Sequence, residues 1–391
     1  MPWSETSAMD EKARFIRDWI AGHWSVTELC SRYGVSRKTG YKWAERFALQ
    51  GPDGLLDQGH APRHSPHRTP EATEQALLAV RLKYPRWGAK KLLIKAAKQW
   101  PEMVLPHRST VCEILRRNQL VVPRSKRRGI GHPGRPSVEV KGPNDCWSID
   151  FKGQFKTCDG RYCYPLTVTD NYSRYLLACQ GMSGPLLEPT QAVLTRLFKT
   201  FGLPRRIRSD NGTPFAAYTL GRLTRLSVWL LKLGVMPELI EPGKPQQNGR
   251  HERMHRTLKD GTTHPPGANL RAQQRKFNLF IREFNDERPH EALDMKTPAE
   301  VYQPSPRPMP TRLHAPTYPD RFEVRYVSAN GGIRWKSNWV NVTSALIGEY
   351  VGLEEIDEGI WEVYFGSKRL GRLHERLMRI EDCYGMTRRH V

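Results

Sequence analysis

The 391-residue sequence is poor in acidic side chains and has no long apolar run. Its 40 Asp and Glu residues face 62 Lys and Arg residues, which gives a formal net charge of +22. Such an excess disfavours acidic partners and favours a polyanion such as nucleic acid. No stretch approaches the length of a membrane span, and the first 19 residues lack the apolar core of a signal peptide. We therefore expect no membrane partner.

Cysteine is scarce and scattered along the chain. The seven cysteines form an odd set that contains no CxxC pair. This argues against both a disulfide framework and a structural zinc site. The composition instead fits a reducing, intracellular compartment.

The N-terminal segment predicts helices that end in a helix-turn-helix. In VTELCSRYGVSRKTGYKWAERF, we expect Thr27 to cap a short helix, Gly34 to break it and Ser36 to cap the next. A recognition helix enters the major groove with long donor side chains near its N-terminal end. The candidate DNA contacts on the second helix are Arg37, Lys38, Thr39, Tyr41, Lys42 and Arg46.

Three further helical patterns follow, over residues 71–84, 88–99 and 107–118, and predict a second small helical DNA-binding unit. After them comes a basic stretch without acids, which we interpret as a solvated tether that also follows phosphates. The candidate contacts in this stretch are Arg124, Lys126, Arg127 and Arg128. Residues 1–140 hold 25 basic and 13 acidic residues, a net charge of +12. More than half of the positive excess therefore precedes the central region.

From Cys146 onward the pattern changes to short strands alternating with helices. The strand-like runs are CWSIDFKG, RYCYPLTVTD, SRYLLACQG, RRIRSDNG and residues 235–240. The helical patterns cover residues 189–201, 215–233, 246–259 and 270–285. Three strands followed by alternating helices and strands predict a layered α/β unit.

Three acids of this unit are distinguished by position. Asp150 lies inside the first strand between apolar neighbours, where a carboxylate is costly to bury without a partner or a metal. Asp210 follows the strand RRIRS, and open α/β sheets place ligands at the carboxyl ends of strands. Glu252 shares a helical face with Arg256 and Lys259.

The C-terminal region returns to strands. A proline-rich segment, 304–319, is predicted to be a linker. Beyond it, FEVRYVS and IRWKSNWVNV flank Asn330-Gly331, which is typical of a hairpin. Further strand-like runs follow, and we expect a small β-barrel.

Four blocks together resemble a known family: WSIDFKG, RSDNGTPF, GKPQQNGRHERMHRTLK and FNDERPHEALDMKTPAEVY. They resemble the integrase-core transposases of bacterial insertion sequences, which are relatives of retroviral integrases with a ribonuclease-H-like fold. The helix-turn-helix head and the barrel tail match as well, so the resemblance covers nearly the whole chain. Four blocks in the right order are strong evidence where one would be weak.

The resemblance implies a DNA transposase whose catalytic and metal-binding residues are Asp150, Asp210 and Glu252. Two Mg²⁺ or Mn²⁺ ions would be held there, with Asp150 bridging both. Water would free a 3′-hydroxyl at the element end, and that hydroxyl would attack target DNA without a covalent protein–DNA intermediate. Asn248, Arg256 and Lys259 would contact DNA phosphates beside the ions.

The implied partners are element-end DNA and target DNA, and two ends joined by one enzyme imply a homo-oligomer on DNA. A bacterial, cytoplasmic and nucleoid-associated location is expected. The sequence leaves open whether a helper protein is needed.

One departure from the family concerns spacing. Asp150 and Asp210 are 60 positions apart, whereas Asp210 and Glu252 are 42 apart, which is longer than in many relatives. The surplus fits a longer helix in GRLTRLSVWLLKLG, or else the third acid is Glu238 or Glu241. We favour Glu252 because of its motif and its helical face. Asp170 is explained adequately by a turn.

Two rival functions remain at this stage. A non-catalytic DNA-binding regulator, such as a domesticated inactive transposase, would share the helix-turn-helix and the charge, but it has no need of three intact acids. A metal-dependent nuclease that hydrolyses without joining would share the fold. The appended end-recognition and tail domains favour transposition.

The predicted fold class is therefore multidomain, with N-terminal all-α helix-turn-helix units, a central α/β ribonuclease-H-like core and a C-terminal small β-barrel. The predicted boundaries are 1–58 for the helix-turn-helix domain, 59–122 for the second helical unit, 123–140 for the basic linker, 141–303 for the catalytic core, 304–319 for the proline-rich linker and 320–391 for the barrel.

Overall fold

A computed structural model describes residues 7–57, 68–121, 139–241 and 245–384. The chain forms two compact units, Met1–Thr69 and Pro70–Val391. Helices come first, a mixed α/β sheet follows, and antiparallel strands end the chain, so the predicted fold class is confirmed. Among the described residues, no helix is long and apolar enough to cross a membrane.

The first unit contains the predicted helix-turn-helix. Its helices are α1 (Ala8–Ile20), α2 (Val26–Arg32) and α3 (Arg37–Gln50). Ser36 caps α3 as expected, because its side chain accepts a hydrogen bond from the Thr39 amide at 3.2 Å. The cap predicted at Thr27 is wrong. Ser25 caps α2 instead, in a reciprocal capping box with Glu28.

Gly40 allows α2 and α3 to cross closely. A Cβ atom at this position would lie 2.4 Å from the Cys30 sulfur and 3.0 Å from the Phe15 ring. Both of those side chains are buried in the small core of this unit. A larger residue at position 40 would therefore push the recognition helix away from its support.

The second unit begins with three helices at the predicted positions. They are α4 (Glu71–Lys83), α5 (Ala89–Gln99) and α6 (Arg108–Arg117). Their core surrounds Trp87, which is 1% exposed. The Trp87 indole donates to Glu283 at 3.2 Å, and Lys95 donates to Glu287 at 3.1 Å. These bonds fix the helical region to the α/β layer that follows it.

A mixed sheet carries the central region. Its strands are β1 (Cys146–Phe151), β2 (Phe155–Lys156), β3 (Tyr162–Asp170), β4 (Leu176–Met182), β5 (Arg206–Ser209) and β6 (Met236–Leu239). β3 pairs antiparallel with β1, β2 and β4, whereas β1, β5 and β6 run parallel to one another. The helices of this region are α7 (Leu187–Phe201), α8 (Arg225–Lys232), α9 (Gly249–Thr262) and α10 (Leu270–Arg282).

The alternation of β1 separates an apolar face from a polar face. Trp147 and Ile149 are fully buried in the main core together with residues of α7 and α8. Ser148 and Asp150 point the other way, since successive strand residues face opposite sides. Their cross-strand partners are Thr169 and Thr167. The sheet therefore presents a polar surface to α9.

The helix predicted over residues 215–233 is wrong in its first half. The α-helix begins only at Arg225, after Thr224 has formed its cap, and Gly221 has a left-handed φ of 62°. Leu220 and Leu223 are buried in the core of the C-terminal domain rather than along a helix of the central region. The long Asp210–Glu252 spacing thus accommodates a docking loop, residues 211–224, and not a longer helix.

The proline-rich segment is an ordered strap along the central region. Backbone hydrogen bonds join Ser305 to Phe201 and Leu203 to Arg307, each at 2.7 Å. The Arg307 side chain donates to the Gly234 carbonyl at 2.7 Å. At its far end, the Tyr318 hydroxyl donates to the Tyr350 carbonyl of the C-terminal domain at 2.9 Å.

The C-terminal domain is built from antiparallel strands around one core, with more strands than the sequence indicated. They are β7 (Glu323–Tyr326), β8 (Gly332–Trp335), β9 (Asn338–Asn341), β10 (Tyr350–Asp357), β11 (Ile360–Phe365), β12 (Lys368–His374) and β13 (Arg379–Asp382). One sheet has the order β13-β12-β11-β10-β7, and β8 pairs with β9. Residues Asn330-Gly331 form a turn between β7 and β8, but the hairpin predicted there is wrong, because β7 pairs with β10 and β8 pairs with β9.

Candidate active site

Asp150 lies near the end of β1, on the polar face of the sheet. Its side chain is 19% exposed, and its backbone carbonyl accepts a hydrogen bond from the Thr167 hydroxyl at 3.1 Å. The apolar neighbours Ile149 and Phe151 anchor the strand on the opposite face. The carboxylate is therefore held in a fixed position with limited access to water.

Asp210 follows directly after β5, the parallel neighbour of β1. Its carboxylate accepts from the Gly212 amide at 3.1 Å, which closes a tight turn. The next residue, Asn211, donates to the Ile240 carbonyl at 2.9 Å and joins this turn to the segment after β6. Because β1 and β5 are parallel, both acids lie toward the same end of the sheet.

Glu252 is exposed in the first turn of α9. The helix packs against the sheet through its opposite side, where His251, Met254, His255 and Leu258 are buried. Burial of that side leaves Glu252 exposed.

The three acids influence one another electrostatically. Burial, together with the negative charges of Asp210 and Glu252, raises the pKa of Asp150 from its ordinary value of 3.8 to about 7. Carboxylates gathered in this way repel each other unless a cation or a proton compensates them. The geometry brings together the three acids that the sequence singled out.

Two histidines on α9 were missed by the sequence interpretation. His251 and His255 flank Glu252 at i, i+4 spacing and are 1% and 4% exposed. His251 Nε2 and His255 Nε2 lie 2.7 and 2.6 Å from the Thr167 hydroxyl, and His251 Nδ1 lies 2.7 Å from the Thr169 hydroxyl. Two sequence features could have indicated these histidines: their i, i+4 spacing in HERMH and the alternating threonines of β3.

The hydrogen bonds of His251 and His255 determine which of their ring nitrogens carry a proton. Burial lowers the pKa of His251 to about 3 and that of His255 to about 2, so both are neutral. A hydroxyl donates one bond and accepts two, so Thr167 can donate to the Asp150 carbonyl and accept from both Nε2–H groups. This leaves His255 Nδ1 as a lone pair facing Asp150 Oδ2 at 3.7 Å. Two facing acceptors favour a cation or a proton between them.

The donor set fits a hard divalent cation. Mg²⁺ and Mn²⁺ prefer oxygen ligands, and Asp210 and Glu252 are near enough to Asp150 for their charges to raise its pKa. Asp150, His251 and His255 also present ligand atoms within 4.8 Å of one another. Both nitrogens of His251 are already engaged by threonine hydroxyls, however, so His255 Nδ1 is the nitrogen that remains available.

The two alternative third acids have other partners. Glu238 lies in β6, where its carboxylate pairs with Arg208 at 2.7 Å and with Arg206 at 3.7 Å. Glu241 exchanges two hydrogen bonds with Gln247, at 2.7 and 2.9 Å. These contacts give both acids structural roles and favour Glu252 as the third acid.

The DNA-contact candidates on α9 differ in exposure. Arg256 and Lys259 are exposed on the side of Glu252. Lys259 also lines a cavity of about 160 Å³ together with Lys152, next to the end of β1. Asn248 is 5% exposed at the start of the helix, so its side chain is not accessible to DNA in this conformation.

The recognition-helix candidates fall into two groups. Four are exposed along α3, namely Arg37, Lys38, Tyr41 and Lys42. Thr39 is half-buried and shares its hydroxyl with Ser36 at 2.9 Å, and Arg46 is half-buried near the end of the helix. The four linker candidates lie outside the described residues, and they are Arg124, Lys126, Arg127 and Arg128.

Curated relatives come from mobile elements and retroviruses. An uncharacterised 31.7 kDa protein of insertion element IS407 from Burkholderia multivorans is 28% identical over 45% of this chain and 62% of its own length. A 39.2 kDa protein of IS476 from Xanthomonas euvesicatoria is 27% identical over 61% of this chain and 67% of its own length. The Gag-Pol polyprotein of baboon endogenous virus is 27% identical over 63% of this chain but only 14% of its own length.

Solved structures with a similar arrangement are retroviral integrases. The catalytic core of HTLV-2 integrase in complex with magnesium matches 41% of this chain and 98% of its own, at 15% identity and a TM-score of 0.34. The simian T-cell lymphotropic virus intasome in complex with a PP2A regulatory subunit matches 74% of this chain at 13% identity and a TM-score of 0.37.

Family models match in every region of the chain. A helix-turn-helix domain matches residues 11–64 and a homeodomain-like domain matches 39–115. Two models of the integrase core domain match 140–245 and 233–298, and the C-terminal domain of IS481 family transposases matches 322–377. One polypeptide therefore carries matches to helix-turn-helix domains, to the integrase core domain and to the C-terminal domain of IS481 family transposases.

Proposed function

We propose that this protein is a transposase that binds the ends of a mobile DNA element, exposes their 3′-hydroxyls and joins them to target DNA. In the first step, water cleaves a phosphodiester and leaves a 3′-hydroxyl and a 5′-phosphate. In the second, that hydroxyl attacks a target phosphodiester, so one bond forms while another breaks and releases a target 3′-hydroxyl.

Asp150, Asp210 and Glu252 are the residues that would hold two Mg²⁺ or Mn²⁺ ions. When bound, such ions activate an oxygen nucleophile and stabilise the departing oxygen. Asp150, whose pKa is raised by the charges of both other acids, would contribute to holding both ions. Restricted water around its partly buried carboxylate strengthens every charge interaction there.

Exposed cations would bind and orient the DNA. Arg256 and Lys259 lie on the face of Glu252 and would hold phosphates beside the acids. Arg37, Lys38, Tyr41 and Lys42 on α3 would recognise the element end in the major groove. The enzyme separates recognition from chemistry by placing them in different parts of the chain.

The observation that carries the proposal is the convergence of Asp150, Asp210 and Glu252. They come from β1, the end of β5 and the first turn of α9, and the charges of the latter two raise the pKa of Asp150. A protein that only binds DNA gains nothing from concentrating uncompensated negative charge. The same arrangement is required of a metal-dependent phosphoryl-transfer site.

Strand transfer tests the proposal directly. Purified protein would be mixed with a supercoiled plasmid and a pre-cleaved duplex that carries the terminal sequence of its own element, with Mg²⁺ or Mn²⁺. We expect joined products that EDTA abolishes, formed in a complex that light scattering shows to be larger than a monomer. Binding without joining in either metal would instead identify a non-catalytic DNA-binding protein.

Lys42→Ala should weaken element-end binding about tenfold, because one exposed donor of the recognition helix is lost. Fluorescence anisotropy with the end duplex measures this. Arg17→Ala is the matched control, since Arg17 is an exposed cation on α1, outside the helix-turn-helix. Equal affinity of the two variants would remove Lys42 from the DNA interface.

A further inference from the structure

A group of basic side chains at the junction of α5 and the central region has no role in the chemistry described above. We call this group the basic cluster and define it as Lys91, Arg174, Arg250, Arg288 and His290. All except the exposed Arg250 are half-buried. Burying cations together is unfavourable unless an anion compensates them.

Arg174 is held in a strained backbone conformation. It lies in the turn between β3 and β4 with a φ of 65°, in the left-handed region that favours glycine. A non-glycine residue strains the backbone there. What Arg174 contributes to this turn therefore comes from its side chain.

Two guanidinium groups converge on one backbone oxygen. The Asn171 carbonyl accepts from Arg174 Nη1 at 2.8 Å and from Arg250 Nη1 at 3.3 Å. Each guanidinium has five N–H donors in a planar fork, so most of their donors remain for another acceptor. Planar paired donors of this kind match the oxygens of a phosphate.

The surrounding charges do not balance this group. Burial, together with the positive charges of Arg250 and Arg253, lowers the pKa of Arg174 to about 10. Burial also lowers the pKa of Lys91 to about 8, with Arg288 adding to the effect. The charge of Asp170 acts in the opposite direction on Arg174, and the charges of Glu283 and Glu291 do so on Lys91, so acidic neighbours offset the repulsion only in part.

The nearby acids are committed elsewhere. Asp170 accepts hydrogen bonds from the Asn144 amide and from the amide and hydroxyl of Ser173. Glu283 accepts from the Trp87 indole, and Glu291 pairs with Lys90 at 3.3 Å. Among the described residues, His290 Nε2 is a buried nitrogen without a hydrogen-bond partner.

We infer that the basic cluster is a binding site for a backbone phosphate of DNA, with Arg174 and Arg250 as its principal donors. The inference rests on the proposed function, which makes DNA the available polyanion. It adds a phosphate contact on the central region that involves neither the three carboxylates nor the residues of the recognition helix.

The location suits a DNA strand that continues from the carboxylates. The Asn171 amide donates to the Cys146 carbonyl, which places the turn beside the first residue of β1. Asp150 is four residues further along the strand, about 13 Å away at about 3.3 Å per residue. With one phosphate per about 3.4 Å of each strand, this distance corresponds to roughly four phosphates.

Arg174→Gly tests the site with little cost to the backbone. Glycine relieves the strain and removes the half-buried charge, so we expect an unchanged or higher melting temperature. DNA affinity should nevertheless fall roughly tenfold at low salt, and the slope of log K against log salt should flatten by about 0.9. A mixed-sequence duplex of 40 base pairs is a suitable probe, because phosphate contacts are independent of sequence.

A second variant and a control make the result specific. Lys91→Met removes a half-buried charge from the α5 side of the cluster while keeping the aliphatic stem, and it should have the same two effects. Lys199→Gln removes one exposed charge from α7, which packs on the opposite face of the sheet. This control should leave the salt slope unchanged.

The outcomes separate the possibilities. A lower melting temperature of Arg174→Gly with an unchanged salt slope would overturn the inference and give Arg174 a structural role. If inorganic phosphate at constant ionic strength stabilises the wild type but not Arg174→Gly, while DNA binding is unaffected, the site takes a free anion and not DNA. A wild-type protein that does not bind the duplex would overturn the proposed function as well.

Discussion

Asp150→Asn is expected to abolish both cleavage and joining while leaving DNA binding intact. The amide keeps the size of the side chain but removes the charge that two cations would share. Metal ions contribute several kcal/mol to such reactions, which corresponds to a loss of roughly three orders of magnitude or more. The strand-transfer assay and duplex binding by fluorescence anisotropy would be compared for wild type and variant.

The same substitution should stabilise the metal-free protein. The folded-state pKa of Asp150, about 7, lies above its ordinary value of 3.8. Between these values the folded form keeps a proton that the unfolded form releases, so stability falls as the pH rises through this window. Asparagine does not titrate, so the variant does not lose stability over this pH range. In EDTA at pH 8 we expect the variant to melt a few degrees higher than wild type.

Metal binding should change the melting temperature of the wild type in the opposite direction, which serves as a control. Mn²⁺ should raise the melting temperature of wild type, because cations bind the folded state and compensate the repelling carboxylates. It should do so much less for Asp150→Asn. A variant that still joined DNA, or that was stabilised by Mn²⁺ as much as wild type, would remove Asp150 from the metal site.

Glu252→Gln should also eliminate joining, and its effect decides between the candidates for the third acid. Glu252 is exposed in the first turn of α9, so we expect a glutamine of nearly the same size to leave the packing of the helix unchanged. The variant should therefore fold and bind DNA as wild type does, yet lose product formation by at least about a hundredfold. Joining is measured with pre-cleaved ends, so that cleavage does not limit the result.

Glu241→Gln is the matched comparison. It carries the same chemical change 11 positions earlier in the sequence, at a residue that exchanges hydrogen bonds with Gln247. We expect it to retain most of the activity. Activity that survives in Glu252→Gln but disappears in Glu241→Gln would transfer the third position to Glu241 while preserving the proposed function.

The sequence was most informative where local pattern and tertiary role agree. The apolar neighbours of Asp150 predicted a strand because one face of that strand enters the main core. The three helices α4, α5 and α6 were predicted nearly to the residue, and Gly88 and His107 occupy the N-cap positions of the last two. Fold class and the three acids were accessible for this reason.

Pattern failed where a side chain serves a distant element. Leu220, Leu223 and Leu226 have helical spacing, yet the first two pack into the C-terminal domain and only the third faces the central core. Gly221, with its left-handed φ, interrupts the helix between them. Periodicity cannot indicate which of two cores receives an apolar residue.

The polar contacts between α9 and the sheet could not be predicted from the sequence for a similar reason. His251 and His255 are bound by Thr167 and Thr169, which are more than 80 residues away in sequence. A single sequence states that these residues can form hydrogen bonds but not with which partners. Only the pairing of β1 with β3 brings the threonines under the helix.

The attachment of the C-terminal domain has a mechanical consequence. The docking loop inserts Leu220 and Leu223 into that domain, and the Gly221 amide donates to Asp382 at 3.1 Å. The proline-rich strap provides a second, separate attachment through Tyr318. A body fixed at one point can swivel, whereas one fixed at two points loses that freedom.

The C-terminal domain is therefore held firmly against the central region and is not flexibly tethered to it. The docking loop begins at the residue directly after Asp210, so it connects the contact with the C-terminal domain to the second carboxylate. A displacement of the C-terminal domain would therefore move the docking loop and, through it, Asp210. A displacement of Asp210 would in the same way move the C-terminal domain.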